Sequence, residues 1–180
     1  DIVDELENEG YIVLGKGSGK ELLYDWAELY KANRHSELLE QIRTYWNNRP
    51  CNIKHSRSPI GTKEYFDEVE ARRYANEPHN YTFPEFDRWA GKRVLEIGCG
   101  SGELLALLRA KRKAGVDLSA TQIAAARQRL PEATLLVQSG EELQLEGAFD
   151  VIVISDTLNL AADVQRLLER LHRVSHAGTR

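Results

Sequence analysis

Residues whose types and spacing favour ligand binding occur where a short apolar segment ends and a helix is expected to begin. Glu96 is followed by glycines at every second position, Gly98, Gly100 and Gly102. Glycine lets the backbone turn sharply, brings a ligand close to the main chain and allows the next helix to pack tightly on the preceding strand. The residues before the turn are mostly apolar, as in a buried parallel strand. The sequence therefore predicts a strand, a ligand-binding turn and a helix in immediate succession.

The spacing of these glycines separates two classes of nucleotide site. A dinucleotide-binding turn has the pattern G-x-G-x-x-G. Here Glu103 stands where the third glycine of that pattern would be, and the last glycine comes one position earlier. The observed pattern is E-x-G-x-G-x-G. This spacing argues against a nicotinamide-dependent dehydrogenase.

The elements that must position this turn alternate regularly from residue 91 onward. Strands are expected near residues 93–97, 113–118, 134–138 and 149–155, and helices near 102–111, 120–130 and 161–175. Alternation of this kind produces right-handed crossovers and a doubly wound, mostly parallel sheet of the α/β class. The unbroken apolar run at 151–154 is typical of a strand covered on both faces.

A mostly helical extension at residues 1–62 is expected to precede a core at residues 63–180. A short strand is expected at 11–14, and two amphipathic helices follow, the second capped by Ser36. Apolar residues share one face of each helix, Leu22, Leu23, Trp26, Leu29 and Tyr30 in the first and Leu38, Leu39, Ile42, Tyr45 and Trp46 in the second. The remaining expected helices before the sheet cover 63–76 and 83–90.

Composition and charge limit the classes of function. The chain has 180 residues and a formal net charge of −4 at pH 7. This charge gives no overall attraction to nucleic acid or to an anionic membrane, and no apolar run approaches the roughly 20 residues of a membrane span. Two cysteines, Cys51 and Cys99, provide neither a disulfide framework nor a metal-ligand pattern. We therefore expect a cytoplasmic protein without a metal site.

Three ordered motifs resemble those of the class I S-adenosylmethionine-dependent methyltransferases. They are the E-x-G-x-G-x-G turn at 96–102, Asp117 at the end of the second strand, and the pairing of Phe149–Asp150 with Ser155–Thr157 around the fourth strand. The resemblance covers roughly residues 91–175. It implies a Rossmann-like sheet, S-adenosyl-L-methionine as cofactor and methyl transfer to a small-molecule acceptor that the sequence does not identify.

For the cofactor, the resemblance implies contacts at the carboxyl ends of the strands, where such sheets bind ligands. Backbone amides of the turn receive the methionine carboxylate, and Glu96 faces the amino group or the sulfonium. Asp117, 19 residues after Gly98, accepts both ribose hydroxyls, which requires an acceptor-only group. Leu118 contacts one face of the adenine. The implied cofactor-binding residues are Glu96, Gly98, Cys99, Gly100, Gly102, Asp117, Leu118, Ser139, Gly140 and Glu141.

The adenine contact departs from the family pattern. Many members carry an aspartate after the third strand that binds the adenine amino group, and this chain has Ser139 there. The resemblance therefore implies that another group contacts the adenine. The candidates are the Ser139 hydroxyl, the Gly140 amide and the Glu141 side chain. A capped turn without a ligand contact explains the same residues.

Asp156, after the fourth strand, is the residue that the resemblance places near the transferred methyl group. It would face the methyl group or orient the acceptor, and a short polar turn also explains it. The implied reaction is an SN2 displacement in which the protein aligns donor and acceptor and excludes water. In the segment before the first strand, Tyr65, Tyr81 and His55 are the candidates for a lid over the cofactor.

The end of the sequence affects the edge of the expected sheet. A class I sheet has seven strands, and this sequence ends at Arg180, where the fifth would begin. We therefore expect the apolar edge at 151–154 to pair with another chain or with a missing C-terminal half. The alternative to an enzyme is a non-catalytic module that binds S-adenosylmethionine or a protein partner.

Overall fold

The structure is a computed structural model that describes residues 20–48, 56–78 and 85–180. The strand expected at 11–14 and the lid candidates His55 and Tyr81 lie outside these residues. The described residues form two compact units, one up to Gln41 and one over Ile42–Arg180. The sheet and the candidate site belong to the second unit.

Helices and strands alternate in the second half of the chain. The helices are α1 (Lys20–Asn48), α2 (Lys63–Asn76), α3 (Glu103–Leu107), α4 (Ala120–Arg129) and α5 (Val164–Arg173), and the strands are β1 (Arg93–Ile97), β2 (Arg112–Asp117), β3 (Thr134–Val137) and β4 (Val151–Ile154). Short 3-10 turns occur at Gly140–Glu142 and Leu158–Leu160. In the part of the chain that the structure describes, no helix is both long and apolar enough to cross a membrane.

The four strands form one parallel sheet in the order β3-β2-β1-β4. Leu95 of β1 lies opposite Ala114 of β2 and Ile152 of β4, and Ala114 lies opposite Thr134 of β3. The chain proceeds outward from β1 to β3 and then returns to the other side of β1. The strand order therefore reverses between β1 and β4, where ligands bind in such sheets. The predicted doubly wound α/β fold is confirmed, and the glycine turn leaves the sheet at this point.

Apolar side chains cover both faces of the sheet, because neighbouring residues of a strand point to opposite faces. Val94 of β1 packs with residues of α3 and α4, whereas Leu95 packs with residues of α5. The residues of β4 divide between the same two clusters, as expected for a strand covered on both faces. Each fully buried side chain of this kind contributes roughly 1.5–3 kcal/mol, so the strands that carry the site are held firmly.

The prediction of two helices separated near Ser36 is wrong, because α1 continues through Ser36 to Asn48. No glycine or proline occurs between Lys20 and Asn48. Most flanking residues are good helix formers, so the preference of one serine for an N-cap does not end the helix.

The helix expected at 83–90 is also wrong for the described residues of that range. Residues 86–91 form turns, and the Arg88 N–H donates to the carbonyl of Glu85 at 2.8 Å. Glu85 has a φ of 46°, a left-handed conformation that does not fit a right-handed helix. The segment before β1 is therefore a compact turn.

Asp150 joins β1 to the C-terminal segment at the edge of the sheet opposite the glycine turn. Its carboxylate accepts from the Arg93 N–H (2.7 Å) and from the Arg93 guanidinium (3.1 Å), and it pairs with Nε2 of His176 at 3.1 Å. The bonds from Arg93 hold the pKa of Asp150 well below its usual range. This cluster has a structural role, because it links the start of β1 to the C-terminal segment.

The outer edge of β4, expected to pair with another chain or with a missing C-terminal half, is covered in part by the chain itself. The Arg180 N–H donates to the carbonyl of Asp150 (3.1 Å), and the Ile152 N–H donates to the carbonyl of Arg180 (2.9 Å). This is the hydrogen-bond pattern of a parallel strand pair. The first residues of β4 therefore have a backbone partner on both sides.

Candidate functional site

The three glycines after β1 adopt left-handed backbone conformations, with φ of 73° at Gly98, 53° at Gly100 and 75° at Gly102. Residues with side chains rarely adopt this region. A Cβ on Gly98 would lie 2.1 Å from the hydroxyl oxygen of Thr157, and a Cβ on Gly102 would lie 3.0 Å from Leu130. A Cβ on Gly100 would meet no atom of the described residues within 4 Å. Gly98 and Gly102 therefore permit close packing, whereas Gly100 leaves open space above the main chain.

The turn is fixed to β2 by its own hydrogen bonds. The N–H groups of Gly98 and Cys99 both donate to the carbonyl of Val116, at 2.8 and 3.1 Å, and Gly102 donates to the carbonyl of Cys99 at 2.8 Å. The Cys99 thiol is buried and faces β2, where a Cβ on Gly115 would lie 2.7 Å from the sulfur, and burial raises its pKa. Cys99 thus belongs to the turn through its main chain. These three N–H groups already donate to main-chain carbonyls, and the Gly100 N–H donates to Asp117. Binding of the methionine carboxylate by the amides of the turn stays a prediction that these bonds do not support.

Asp117, the last residue of β2, directs its carboxylate at the glycine turn. One oxygen accepts from the Gly100 N–H at 2.9 Å, and the other accepts from the Ser119 N–H at 2.8 Å. Burial raises the pKa of Asp117, and the two amides act in the opposite direction. Each oxygen keeps a further lone pair. The carboxylate can therefore accept from two hydroxyls of a ligand above Gly100, and Leu118 lies beside it at a partly exposed position.

Glu96 of β1 is a buried carboxyl group with an unsatisfied oxygen. Only 3% of the residue is exposed, and Oε2 has no hydrogen-bond partner among the described residues. Burial raises the pKa of Glu96 to about 8, while the Arg73 guanidinium acts in the opposite direction. A buried polar atom without a partner is costly. The position therefore favours a ligand that brings a cation or a hydrogen-bond donor.

The segment after β3 forms a 3-10 turn whose side chains bond to the main chain. The Ser139 hydroxyl oxygen accepts from the Glu141 N–H at 3.1 Å, and Gly140 packs so closely on α5 that a Cβ would meet a leucine there at 2.7 Å. The buried Glu141 carboxylate accepts from the N–H groups of Ala162 and Asp163, at 2.8 and 3.1 Å. Glu141 thus joins this turn to the start of α5, and the adenine contacts of Ser139 and Gly140 stay predictions.

This tie gives a prediction for folding. We expect Glu141→Gln to lower the free energy of unfolding by roughly 1–3 kcal/mol, because the new NH2 group replaces an oxygen that accepts from a main-chain amide. Urea unfolding followed by circular dichroism measures the change. The matched control is Glu142→Gln, whose side chain carries no such tie and whose effect should stay within about 0.5 kcal/mol. Equal effects of the two substitutions would contradict the role given to Glu141.

The turn after β4 lies over Gly98. Its Thr157 hydroxyl donates to the carbonyl of Ser155 at 2.9 Å and occupies the space that a Cβ on Gly98 would need. Asp156 has a φ of 53°, although it is not a glycine. The Arg73 guanidinium donates to the Ser155 hydroxyl oxygen and to the Asp156 carboxylate, both at 3.2 Å. The structure therefore brings the turn that contains Asp156, the predicted catalytic residue, into contact with Gly98 through Thr157.

Sequence reasoning missed Arg73, which α2 places at this edge of the sheet. Tyr65, the lid candidate on the same helix, is only 1% exposed and packs with Phe66 and Val69 against Ala125 of α4. Arg73 lies 83 residues before Asp156, and in the sequence it resembles any charge on an exposed helix face. Only the packing of α2 on α4 reveals the contact.

Comparison with known proteins assigns this part of the chain. Residues 95–180 match the model of a family described as "Methyltransferase domain". This segment is a methyltransferase domain. The matched range includes the glycine turn, Asp117 and the turn after β4. The predicted family is thereby confirmed.

Curated relatives of the methyltransferase domain include two O-methyltransferases. The chain is 31% identical over 94 residues to malonyl-(acyl-carrier protein) O-methyltransferase of Bacillus cytotoxicus. This match covers 49% of this chain and 33% of that protein. It is 32% identical over 98 residues to ubiquinone biosynthesis O-methyltransferase of Pseudomonas aeruginosa. This second match covers 49% of this chain and 42% of that protein. The match thus spans less than half the length of these relatives.

Solved structures share the fold of the methyltransferase domain. The DhpI-SAH complex has a TM-score of 0.60 at 21% identity, over 79% of this chain and 66% of that chain. Magnesium protoporphyrin IX methyltransferase from Synechocystis PCC 6803, with bound SAM, has a TM-score of 0.53 at 17% identity, over 77% of this chain and 72% of that chain. At these identities the likeness concerns the fold, and it agrees with the Rossmann-like sheet expected from the sequence.

Proposed function

We propose that the chain binds S-adenosylmethionine across the carboxyl ends of β1, β2 and β4 and transfers the methyl group to a small molecule. The observation that carries the proposal is the Asp117 carboxylate, held 2.9 Å from the Gly100 N–H and 2.8 Å from the Ser119 N–H with acceptor capacity left on both oxygens. When bound, S-adenosylmethionine supplies a methyl group on a sulfonium, which an acceptor atom displaces in one step.

The nucleoside part of the cofactor fits the residues around the glycine turn. Asp117 accepts from the two ribose hydroxyls, and the open space above Gly100 admits the sugar. Leu118 follows Asp117 at a partly exposed position and offers an apolar surface to the adenine. Ser139 and Gly140, after the neighbouring strand, are proposed to contact the adenine edge. These contacts orient the cofactor.

The cationic part of the cofactor fits Glu96. A cation near its Oε2 gives the unsatisfied oxygen an electrostatic partner, and it favours the ionised carboxylate. The amino group and the sulfonium of S-adenosylmethionine are both cations that meet this need. Burial strengthens the attraction, because an electrostatic interaction gains strength where water is excluded.

Asp156 is proposed to orient the acceptor. Its carboxylate is exposed, so an incoming molecule can reach it, and the next residue, Thr157, contacts Gly98. Both curated relatives are named as O-methyltransferases, so we propose an oxygen atom as the methyl acceptor. A hydroxyl acceptor loses a proton during the reaction, and Asp156 is the group that we propose accepts it, whereas a carboxylate acceptor needs no base.

Isothermal titration calorimetry of the whole chain tests the cofactor assignment. We expect saturable one-to-one binding of S-adenosylmethionine and of S-adenosylhomocysteine, since both carry the ribose and the amino group. NAD serves as the matched control and should show no saturable binding. Folded protein that binds neither sulfur nucleoside, or that binds NAD equally well, would overturn the proposal.

Turnover separates an enzyme from a binding module. The chain is incubated with S-adenosylmethionine and a panel of phenols and carboxylic acids, and formation of S-adenosylhomocysteine is measured by mass spectrometry. We expect formation above the acceptor-free background with at least one of these oxygen acceptors. Tight binding without turnover on any acceptor would favour the non-catalytic module.

A further inference from the structure

The Ser155–Thr157 turn is held from two sides. On one side, the Thr157 hydroxyl lies against Gly98, where a Cβ would come within 2.1 Å of its oxygen. On the other side, the guanidinium of Arg73 donates to Ser155 Oγ and to Asp156 Oδ2, both at 3.2 Å. Asp156 adopts a left-handed conformation in this arrangement, which aspartate enters more readily than most residues with side chains. The turn is therefore in contact with Gly98 on one side and with Arg73 on the other.

The helix that carries Arg73 is anchored independently of this turn. Tyr65 and Phe66 are buried against α4, and the Glu70 carboxylate accepts from the Arg129 guanidinium of α4 at 2.6 Å. Arg73 lies one helical turn beyond Glu70, so its guanidinium extends from a fixed support. Arginine suits such a bridge, because its planar group presents five N–H donors in a fixed geometry.

Arg73 is surrounded by acidic groups from several elements. Besides Asp156, it lies 3.9 Å from the Glu103 carboxylate of α3 and 3.8 Å from the Glu77 carboxylate after α2. Its charge also acts on Glu96, whose pKa it lowers against the effects of burial, Glu103 and Asp117. A substitution of Arg73 therefore changes the charge balance of the site as well as the position of the turn.

We propose that Arg73 is a positioning residue for methyl transfer, which fixes the Ser155–Thr157 turn over the glycine turn from a support on α2. It acts through Asp156 and does not itself meet the reacting atoms. The inference rests on the proposed function, because Asp156 has a role in positioning only if an acceptor binds there. It extends the site to a helix that precedes the matched methyltransferase domain.

The test compares Arg73→Gln and Arg73→Lys with Arg72→Gln, which removes the same charge from an exposed neighbour on the same helix. Binding of S-adenosylmethionine is measured by calorimetry between pH 6.5 and 8.5, and amide hydrogen exchange is followed in the peptide covering residues 155–161. That peptide includes the Leu160 N–H, which donates to the carbonyl of Thr157 at 2.9 Å.

We expect Arg73→Gln to weaken binding at pH 7 by roughly three- to tenfold and to move the pH midpoint of binding upward, because Glu96 loses a favourable charge. Exchange in residues 155–161 should become faster. Arg73→Lys keeps the charge but not the planar bridge, so it should restore the pH midpoint and leave the exchange fast. Arg72→Gln should change neither readout.

Two results would overturn the inference. One is an unchanged midpoint together with unchanged exchange in Arg73→Gln, and the other is an equal response of both readouts in Arg72→Gln. Failure of the wild-type chain to bind S-adenosylmethionine would instead overturn the proposed function. Even then, the hydrogen-exchange comparison decides whether Arg73 holds the turn.

Discussion

Replacing Asp117 by asparagine is expected to weaken the binding of S-adenosylmethionine by roughly 100-fold or more. Hydrogen bonds to a charged group contribute about 1.5–3 kcal/mol each, and a tenfold loss of affinity corresponds to about 1.4 kcal/mol. The substitution removes the charge behind both ribose contacts. It also turns a donor toward Gly100 or Ser119, whose N–H groups need an acceptor. Calorimetry with S-adenosylmethionine and S-adenosylhomocysteine should show the same loss for both ligands, because they share the ribose.

The matched control for this experiment is Asp163→Asn. Asp163 is also a carboxylate that accepts from a backbone N–H, that of Arg166 at 3.0 Å, but it caps α5 and takes no part in the proposed site. Its substitution should leave the affinity within about twofold. Thermal unfolding of both variants separates a lost contact from a lost fold. Binding by folded Asp117→Asn within about threefold of the wild type would contradict the assignment.

Replacing Glu96 by glutamine is expected to make the chain more stable at pH 8. The pKa of Glu96 is about 8 in the folded chain, compared with an ordinary value of 4.5. Between these pH values the unfolded chain gives up a proton that the folded chain retains, so stability falls as the pH rises through this window. Glutamine carries no such proton. We expect a gain of roughly 2–4 kcal/mol at pH 8 and almost none at pH 4, measured by urea unfolding.

The same substitution is expected to remove the protein's contribution to the pH dependence of cofactor binding. Below pH 8 most Glu96 is protonated, and a cationic ligand prefers the ionised form, so wild-type affinity should rise by up to about tenfold per pH unit between pH 6 and 8. The cofactor's own amino group titrates equally in both experiments, so the ratio of wild-type to Glu96→Gln affinity isolates the carboxyl group. A variant that is less stable at pH 8 and binds as tightly as the wild type would contradict this role.

The parts of the site that are continuous in the sequence could be predicted from it. The apolar segment predicts the strand β1, and the three glycines predict the turn that follows it. The spacing to Asp117 predicts that this residue ends the neighbouring strand. In the structure, the hydrogen bond between Gly100 and Asp117 joins these parts. The alternation of strands and helices also predicted the parallel sheet, because connections of this kind permit few topologies.

The contacts that the sequence did not reveal join residues that are far apart in the chain. Periodicity indicates which face of a helix is polar, but not which charge that face will meet, so Arg73 was not distinguished from other charged residues. The direction of the Glu141 side chain depends on the 3-10 turn and on the two amides before α5 that donate to it. Neither feature has a clear sequence pattern. Cys99 occupies a predicted site position, yet the close packing of Gly115 draws its thiol into the core.

A crystal structure of the chain with S-adenosylhomocysteine tests the central claim most directly. The account predicts both ribose hydroxyls within hydrogen-bonding distance of the Asp117 carboxylate, roughly 2.5–3.0 Å, with the amino group on the side of Glu96. A nucleoside bound elsewhere, or one whose hydroxyls contact other groups while the Asp117 carboxylate stays bonded only to the main chain, would contradict it.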